Sequence, residues 1–190
     1  WRGEILYKGV ERLGEILISN CHLDGSNGSA ISISGNVTVE DTLIENVYNG
    51  AENYALPNQF SEFHNCTFRN IKDFGIAYIG QDPDTTYLDV TQSTFERCGQ
   101  AAVFLSEFAF NVDILDNTFI DNTISIYAIH LHLYGITQLG WDDLTVSGNT
   151  FKAVNRNINE IMTFYIGGSA DNWLFENNTV TGENGRWVNR

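Results

Sequence analysis

A six-residue pattern written seven times sets the terms for any fold this chain can adopt. It reads apolar, variable, polar, small or amide, usually Thr, apolar. The copies are Ile18-Ser-Asn-Cys-His-Leu23, Val39-Glu-Asp-Thr-Leu-Ile44, Phe63-His-Asn-Cys-Thr-Phe68, Val90-Thr-Gln-Ser-Thr-Phe95, Ile114-Leu-Asp-Asn-Thr-Phe119, Val146-Ser-Gly-Asn-Thr-Phe151 and Phe175-Glu-Asn-Asn-Thr-Val180. Their closing residues lie 21, 24, 27, 24, 32 and 29 positions apart. Recurrence at that length marks a solenoid, in which each copy covers its neighbour's apolar face.

Two strand-like pieces accompany each copy. One leads in: Val37-Thr-Val39, Leu88-Asp-Val90, Val112-Asp-Ile114, Leu144-Thr-Val146, Trp173-Leu-Phe175. The other follows: Ala30–Ile33, Gly75–Tyr78, Ala102–Leu105, Ala128–Leu131, Thr163–Ile166. Helical periodicity is missing, and seventeen glycines with frequent Asn-Gly and Asp-Gly pairs punctuate the strands. Equivalent strands without crossover helices must lie directly above one another, so the expected form is a coil of parallel strands. The fourth template position (Cys21, Thr42, Cys66, Ser93, Asn117, Asn149, Asn178) then becomes a vertical file whose amides bond along the coil axis. Asn there also tolerates the left-handed backbone that a tight corner demands. Just past the closing residue, Glu45, Arg69 and Glu96 place opposite charges on neighbouring strands. Loops are expected at Asn46–Phe60, Gly80–Thr86, Tyr134–Asp143 and Ala153–Ile161, the stretches a bare coil does not need.

Charge narrows the partners. A net charge of −14 with ten Lys and Arg over 190 residues argues against nucleic acid or an anionic membrane surface. No apolar run is long enough to span a bilayer. The chain begins at Trp1 with no legible signal peptide, as a processed or excised chain would. Cys21 and Cys66 share a template position two copies apart, roughly 9.6 Å at sheet spacing, too far for a disulfide. They read as small core fillers.

These residues, above all "ISNCHLDGSNGSAISI", "FHNCTFRNIKDFGIAYI", "ILDNTFIDN" and "VSGNTF", resemble the right-handed parallel β-helix proteins of the pectin-lyase-like superfamily. The resemblance implies an all-β, right-handed, single-stranded parallel β-helix of about seven to eight rungs, one domain over 1–190. Trp1-Arg-Gly-Glu-Ile-Leu also looks like a rung of bacterial surface β-helices. With no capping helix legible, a module or fragment of a longer protein is expected, its ends covered by flanking rungs or by self-association into a filament. The resemblance includes polysaccharide lyases, epimerases, galacturonan hydrolases, tailspikes and adhesins, and implies an extracellular or cell-surface address.

Two outward files bear candidate chemistry. Glu62, Asp89 and Asp113 fall between Thr38 and Thr145 on the leading strand, with Glu40 and His64 beside them. Carboxylates at about 4.8 Å spacing repel unless solvated, protonated or bridged by a cation, and an oxygen-only set suits Ca²⁺. Ca²⁺ at such a set is what the lyase resemblance implies; a solvated acidic face is the simpler alternative. On the following strand the file reads Ser32, Ala77, Phe104, His130, Tyr165, with His132 and Tyr134 nearby. Outward aromatics and imidazoles fit a track for a polysaccharide or cell-surface glycan, with Phe104, His130, His132 and Tyr165 as contacts; an overlying loop is the alternative. The hydrolase motifs are missing as a set, and Asp82-Pro83 lacks the His of the epimerase signature. No catalytic residue carries over. A non-catalytic binding or display module is the expectation, with a Ca²⁺-assisted polysaccharide lyase as the alternative.

Overall fold

The computed structural model describes residues 5–8, 15–55, 58–80, 86–107, 111–122, 124–127, 140–152, 154, 162–165 and 169–181. After β1 (Ile5–Lys8) the strands come in threes: β2 (Ile16–Ser19), β3 (His22–Asp24), β4 (Ser29–Ser34); β5 (Val37–Glu40), β6 (Leu43–Glu45), β7 (Asn49–Ala55); β8 (Phe60–His64), β9 (Thr67–Ile71), β10 (Phe74–Gly80). The series continues through β11 (Tyr87–Thr91), β12 (Thr94–Cys98), β13 (Ala101–Glu107); β14 (Val112–Leu115), β15 (Thr118–Ile120), β16 (Ile124–Tyr127); β17 (Gly140–Ser147), β18 (Thr150–Lys152), β19 (Met162–Tyr165). β20 (Ser169–Glu176) and β21 (Thr179–Thr181) open a further turn. Every third strand pairs in parallel, giving three seven-stranded sheets: β1-β4-β7-β10-β13-β16-β19, β2-β5-β8-β11-β14-β17-β20 and β3-β6-β9-β12-β15-β18-β21. Six coils are complete among the described residues, fewer than the seven to eight expected, because the seventh template copy supplies only β20 and β21.

The template is the two-residue corner between the second and third sheets. Its third position has positive φ in every copy: Asn20 (53°), Asp41 (48°), Asn65 (50°), Gln92 (51°), Asp116 (56°), Gly148 (69°) and Asn177 (55°). The left-handed residue is therefore the third, not the fourth as expected. Turning there points the fourth side chain into the coil, where Asn117 and Asn149 are buried.

That inward file closes the corner's backbone. Asn117 N–H donates to Asn149 Oδ1 (2.8 Å) and Asn149 N–H to Asn178 Oδ1 (2.9 Å). Their Nδ2 groups donate back to the preceding coil, Asn117 to Val90 O (2.7 Å) and Asn149 to Ile114 O (2.8 Å). Earlier coils use hydroxyls: Ser93 Oγ accepts from Cys66 N–H (3.0 Å), Thr42 Oγ1 from Cys21 N–H (3.3 Å). Without these partners each buried backbone N–H would cost about 1–3 kcal/mol.

Beside it the closing residues stack. Phe68, Phe95, Phe119 and Phe151 are fully buried, with centroid separations of 4.8, 5.2 and 4.7 Å and planes within 11°. Each pair adds about 0.5–1.5 kcal/mol beyond its buried area. A glycine makes room for this stack: a Cβ on Gly75 would lie 2.5 Å from Ala102 O and 2.9 Å from the Phe95 ring.

The first sheet departs most from expectation. β7 occupies the supposed loop 46–60, with Ala51, Asn53 and Ala55 facing inward. Asn53 sits between Ile33 and Tyr78 in an apolar file and donates to the buried Ser61 hydroxyl, while its Oδ1 has no partner. In the fifth coil the strand is Ile124–Tyr127, registered Val103↔Ile124 and Phe104↔Ser125, while 128–131, expected to form it, lie outside the described residues. Gly140–Asp143, expected in a loop, belongs to β17.

Candidate functional site

Pleating turns alternate residues of the second sheet outward, and register brings Thr38, Glu62, Asp89, Asp113 and Thr145 side by side on β5, β8, β11, β14 and β17. Glu62 is the hub. Its Oε2 lies 3.1 Å from Thr38 Oγ1, whose single proton is shared with Glu15 Oε1 at 3.0 Å, and faces His64 Nε2 at 3.5 Å. Its Oε1 accepts from the Tyr87 hydroxyl (3.1 Å). The same hydroxyl lies 3.5 Å from Asp89 Oδ2, and His64 Nδ1 meets Thr91 Oγ1 at 2.6 Å. The Tyr87 ring is tilted against Phe60 at 6.4 Å.

Asp89 is the strained member. Its Oδ1 is shut off from solvent with no hydrogen-bond partner. Burial raises its carboxyl above the ordinary value, the charges of Asp113 and Glu62 push the same way, and His64 opposes them. Burial also raises the Tyr87 phenol, helped by Asp89 and Glu62, so it stays a hydrogen-bond donor. A patch with this balance attracts cations, ammonium groups or the hydroxyls of a neutral sugar and repels bare uronates. Tyr87 was missed from the sequence, although its place two residues before Asp89 on one strand face signals it.

The donor set is oxygen-only, as Ca²⁺ requires, and one oxygen is orphaned, so the residues fit that ion by type. They are not drawn together: among the described residues only His22, Asp24 and Glu45 bring three ligand atoms within 4.8 Å of one another.

On the first sheet Phe104 faces outward from β13, half-buried, and stacks on Phe74 with centroids 4.4 Å apart and planes at 23°. Its file runs Ser32, Glu52, Ala77, Phe104, Ser125, Thr163. Tyr165 registers with Tyr127 instead, two residues along, so it does not share the Phe104 file as expected. The reason is the earlier position of β16. His130 and His132 lie outside the described residues.

With the coil and its outward files in place, a family model described as the right-handed β-helix region matches residues 5–151. The chain belongs to the right-handed β-helix family. No curated protein and no solved structure matches it. Membership fixes the hand of this β-helix and agrees with the parallel pairing of all three sheets. It assigns no chemistry, because one scaffold of this kind carries many activities. No helix of the described residues is long and apolar enough to cross a membrane.

Proposed function

We propose that this β-helix is a non-catalytic extracellular or cell-surface module that binds polysaccharide on the outward face of its first sheet. The observation that carries this reading is the Phe74–Phe104 pair, an exposed-side aromatic stack beside the small residue Ala77. A pyranose C–H face packs on such a ring, and Glu52, held by Ser29 (2.9 Å) and Tyr54 (2.8 Å), supplies a fixed acceptor for sugar hydroxyls one strand beyond Ala77. His130, His132 and Tyr165 complete the proposed contact set. The charge balance favours a neutral glycan over a polyuronate. A glycan array supports the reading if Phe104→Ala with Tyr165→Ala lowers binding at least tenfold; binding untouched by both changes refutes it.

A second reading is a Ca²⁺-assisted carbohydrate lyase at Glu62, Asp89 and Asp113, favoured by the orphaned Asp89 oxygen. Bound there, the ion would neutralise an acidic sugar and the negative charge that develops on it, while Tyr87 and Thr38 orient Glu62. Incubation with pectate, alginate and glycosaminoglycans decides it: unsaturated-uronate absorbance that a chelator abolishes supports the lyase, and none with Ca²⁺ added removes it.

A further inference from the structure

The third sheet carries a separate cluster at its first two strands. His22 and Asp24, two residues apart on β3, share its outward face, and Glu45 on β6 registers opposite Asp24. His22 Nε2 lies 2.8 Å from Glu45 Oε1, and one ligand atom from each of the three residues falls within 4.8 Å of the others. Two neighbours hold the carboxylates from outside. Asn46 Nδ2 donates to Asp24 Oδ1 (2.8 Å), and Arg69 donates to Glu45 Oε2 through Nε (2.9 Å) and Nη2 (2.6 Å). Asn46, the neutral one of the two, orients Asp24 as outer donors orient ligating carboxylates. The His22 side chain is 55% exposed, so an ion reaches the cluster from solvent.

We propose that His22, Asp24 and Glu45 bind a divalent transition metal, with Zn²⁺ as the representative ion. One imidazole nitrogen with two carboxylate oxygens is a borderline donor set, suited to Zn²⁺ and poorly suited to Ca²⁺ or Mg²⁺, which take oxygen. Zn²⁺ holds nitrogen and oxygen at about 2.0–2.2 Å, which puts tetrahedral ligand atoms roughly 3.3–3.6 Å apart. The His22–Glu45 separation has to open by about half an ångström from its 2.8 Å hydrogen bond, and Asp24 has to swing in, both within reach of side-chain rotation at an open sheet face. Water completes the fourth position. The ion ties the first coil to the second, and Arg69 opposes it, since its guanidinium occupies the second Glu45 oxygen and adds a like charge.

The test uses the full chain without a tag and with His130→Ala and His132→Ala, so that two of the other three histidines contribute nothing. Zn²⁺ titration by calorimetry is expected to show one equivalent. Affinity is expected to fall at least tenfold in His22→Ala, to fall in Glu45→Gln and to rise several-fold in Arg69→Met. Spin-echo spectra of the Cu²⁺ form should carry an imidazole nitrogen that His22→Ala removes and that His64→Ala leaves in place. Circular dichroism of each variant checks that it folds. An unchanged affinity in His22→Ala, or only weak binding of several equivalents, overturns the site. Neither result bears on the glycan face, whose readout is sugar binding.

Discussion

Asn149→Ala tests the inward amide file where it is most complete. The side chain is wholly buried and makes four bonds: it accepts from Asn117 N–H (2.8 Å) and Asn117 Nδ2 (3.1 Å) and donates to Ile114 O (2.8 Å) and Asn178 Oδ1 (3.0 Å). Asn117 Nδ2 keeps Val90 O, and Asn178 Oδ1 keeps Asn149 N–H, so neither side-chain neighbour is orphaned. The damage falls on Asn117 N–H, since Ile114 C=O faces β17 and keeps its place in the strand ladder. One buried backbone group left without a partner at about 1–3 kcal/mol puts the loss near 2 kcal/mol. For a chain of this size that is roughly 4–8 °C in Tm. Asn149→Ser restores an acceptor for Asn117 N–H, as Ser93 does for Cys66, and should recover most of it. Urea unfolding gives the energies. Amide exchange at Asn117 shows whether the opening is local, since stacked coils need not unfold as one unit. A loss below about 1 kcal/mol, or a serine variant as unstable as the alanine, would refute the accounting.

Three further outcomes follow from the same structure. Asp89 has its carboxyl raised by burial, so between the reference value of 3.8 and its higher folded value the folded chain holds a proton that the unfolded chain has lost. Stability then falls as pH rises through that window and stays lowered above it. Asp89→Asn should raise the urea midpoint at pH 7 and lose the advantage below about pH 4; an equal gain at both ends contradicts the burial argument. Cys66, its thiol pushed up to about 11 by burial, and the buried Cys98 should resist Ellman's reagent until the chain is denatured, leaving at most Cys21 reactive. Three fast thiols in the native chain would contradict that packing. Asn53→Leu with Ser61→Val replaces a buried polar pair, one oxygen of which has no partner, by the apolar residues of neighbouring coils. Urea unfolding should find the double variant at least as stable as the parent, with Ser61→Val alone clearly destabilised; a double variant less stable than either single change is the contrary result.

What could be read from the residues follows from what is rigid. The corner between the second and third sheets has room for two residues, so the distance from Ile18 to Leu23 recurs unchanged in every coil and the phase of two sheets was legible. Which of the two residues turns left was not: Asn at the fourth position fits either role until its side chain is known to point inward. The first sheet resisted because its connections vary. From Phe68 to Ile76 is eight residues, from Phe119 to Ile124 five and from Phe151 to Met162 eleven, all in one register. β7 hid because Asn53 breaks the apolar alternation that marks a strand. Of the acidic file, register and facing were legible from the alternation of Leu88, Asp89 and Val90. The Tyr87 bridge and the unpartnered Asp89 oxygen were not, because they depend on rotamers.

The inward amide file runs one way. From Ser93 onward each corner's N–H is bonded by an Asn from the coil that comes later in the chain, and the same amide bonds a C=O of the strand before that corner. A polypeptide emerging amino end first therefore always carries one unsealed corner, at the newest complete tier, and every added tier seals its predecessor. Damage is lopsided for the same reason. Loss of a later coil bares backbone that has nowhere to turn, whereas loss of an earlier one frees an amide that can swivel into water.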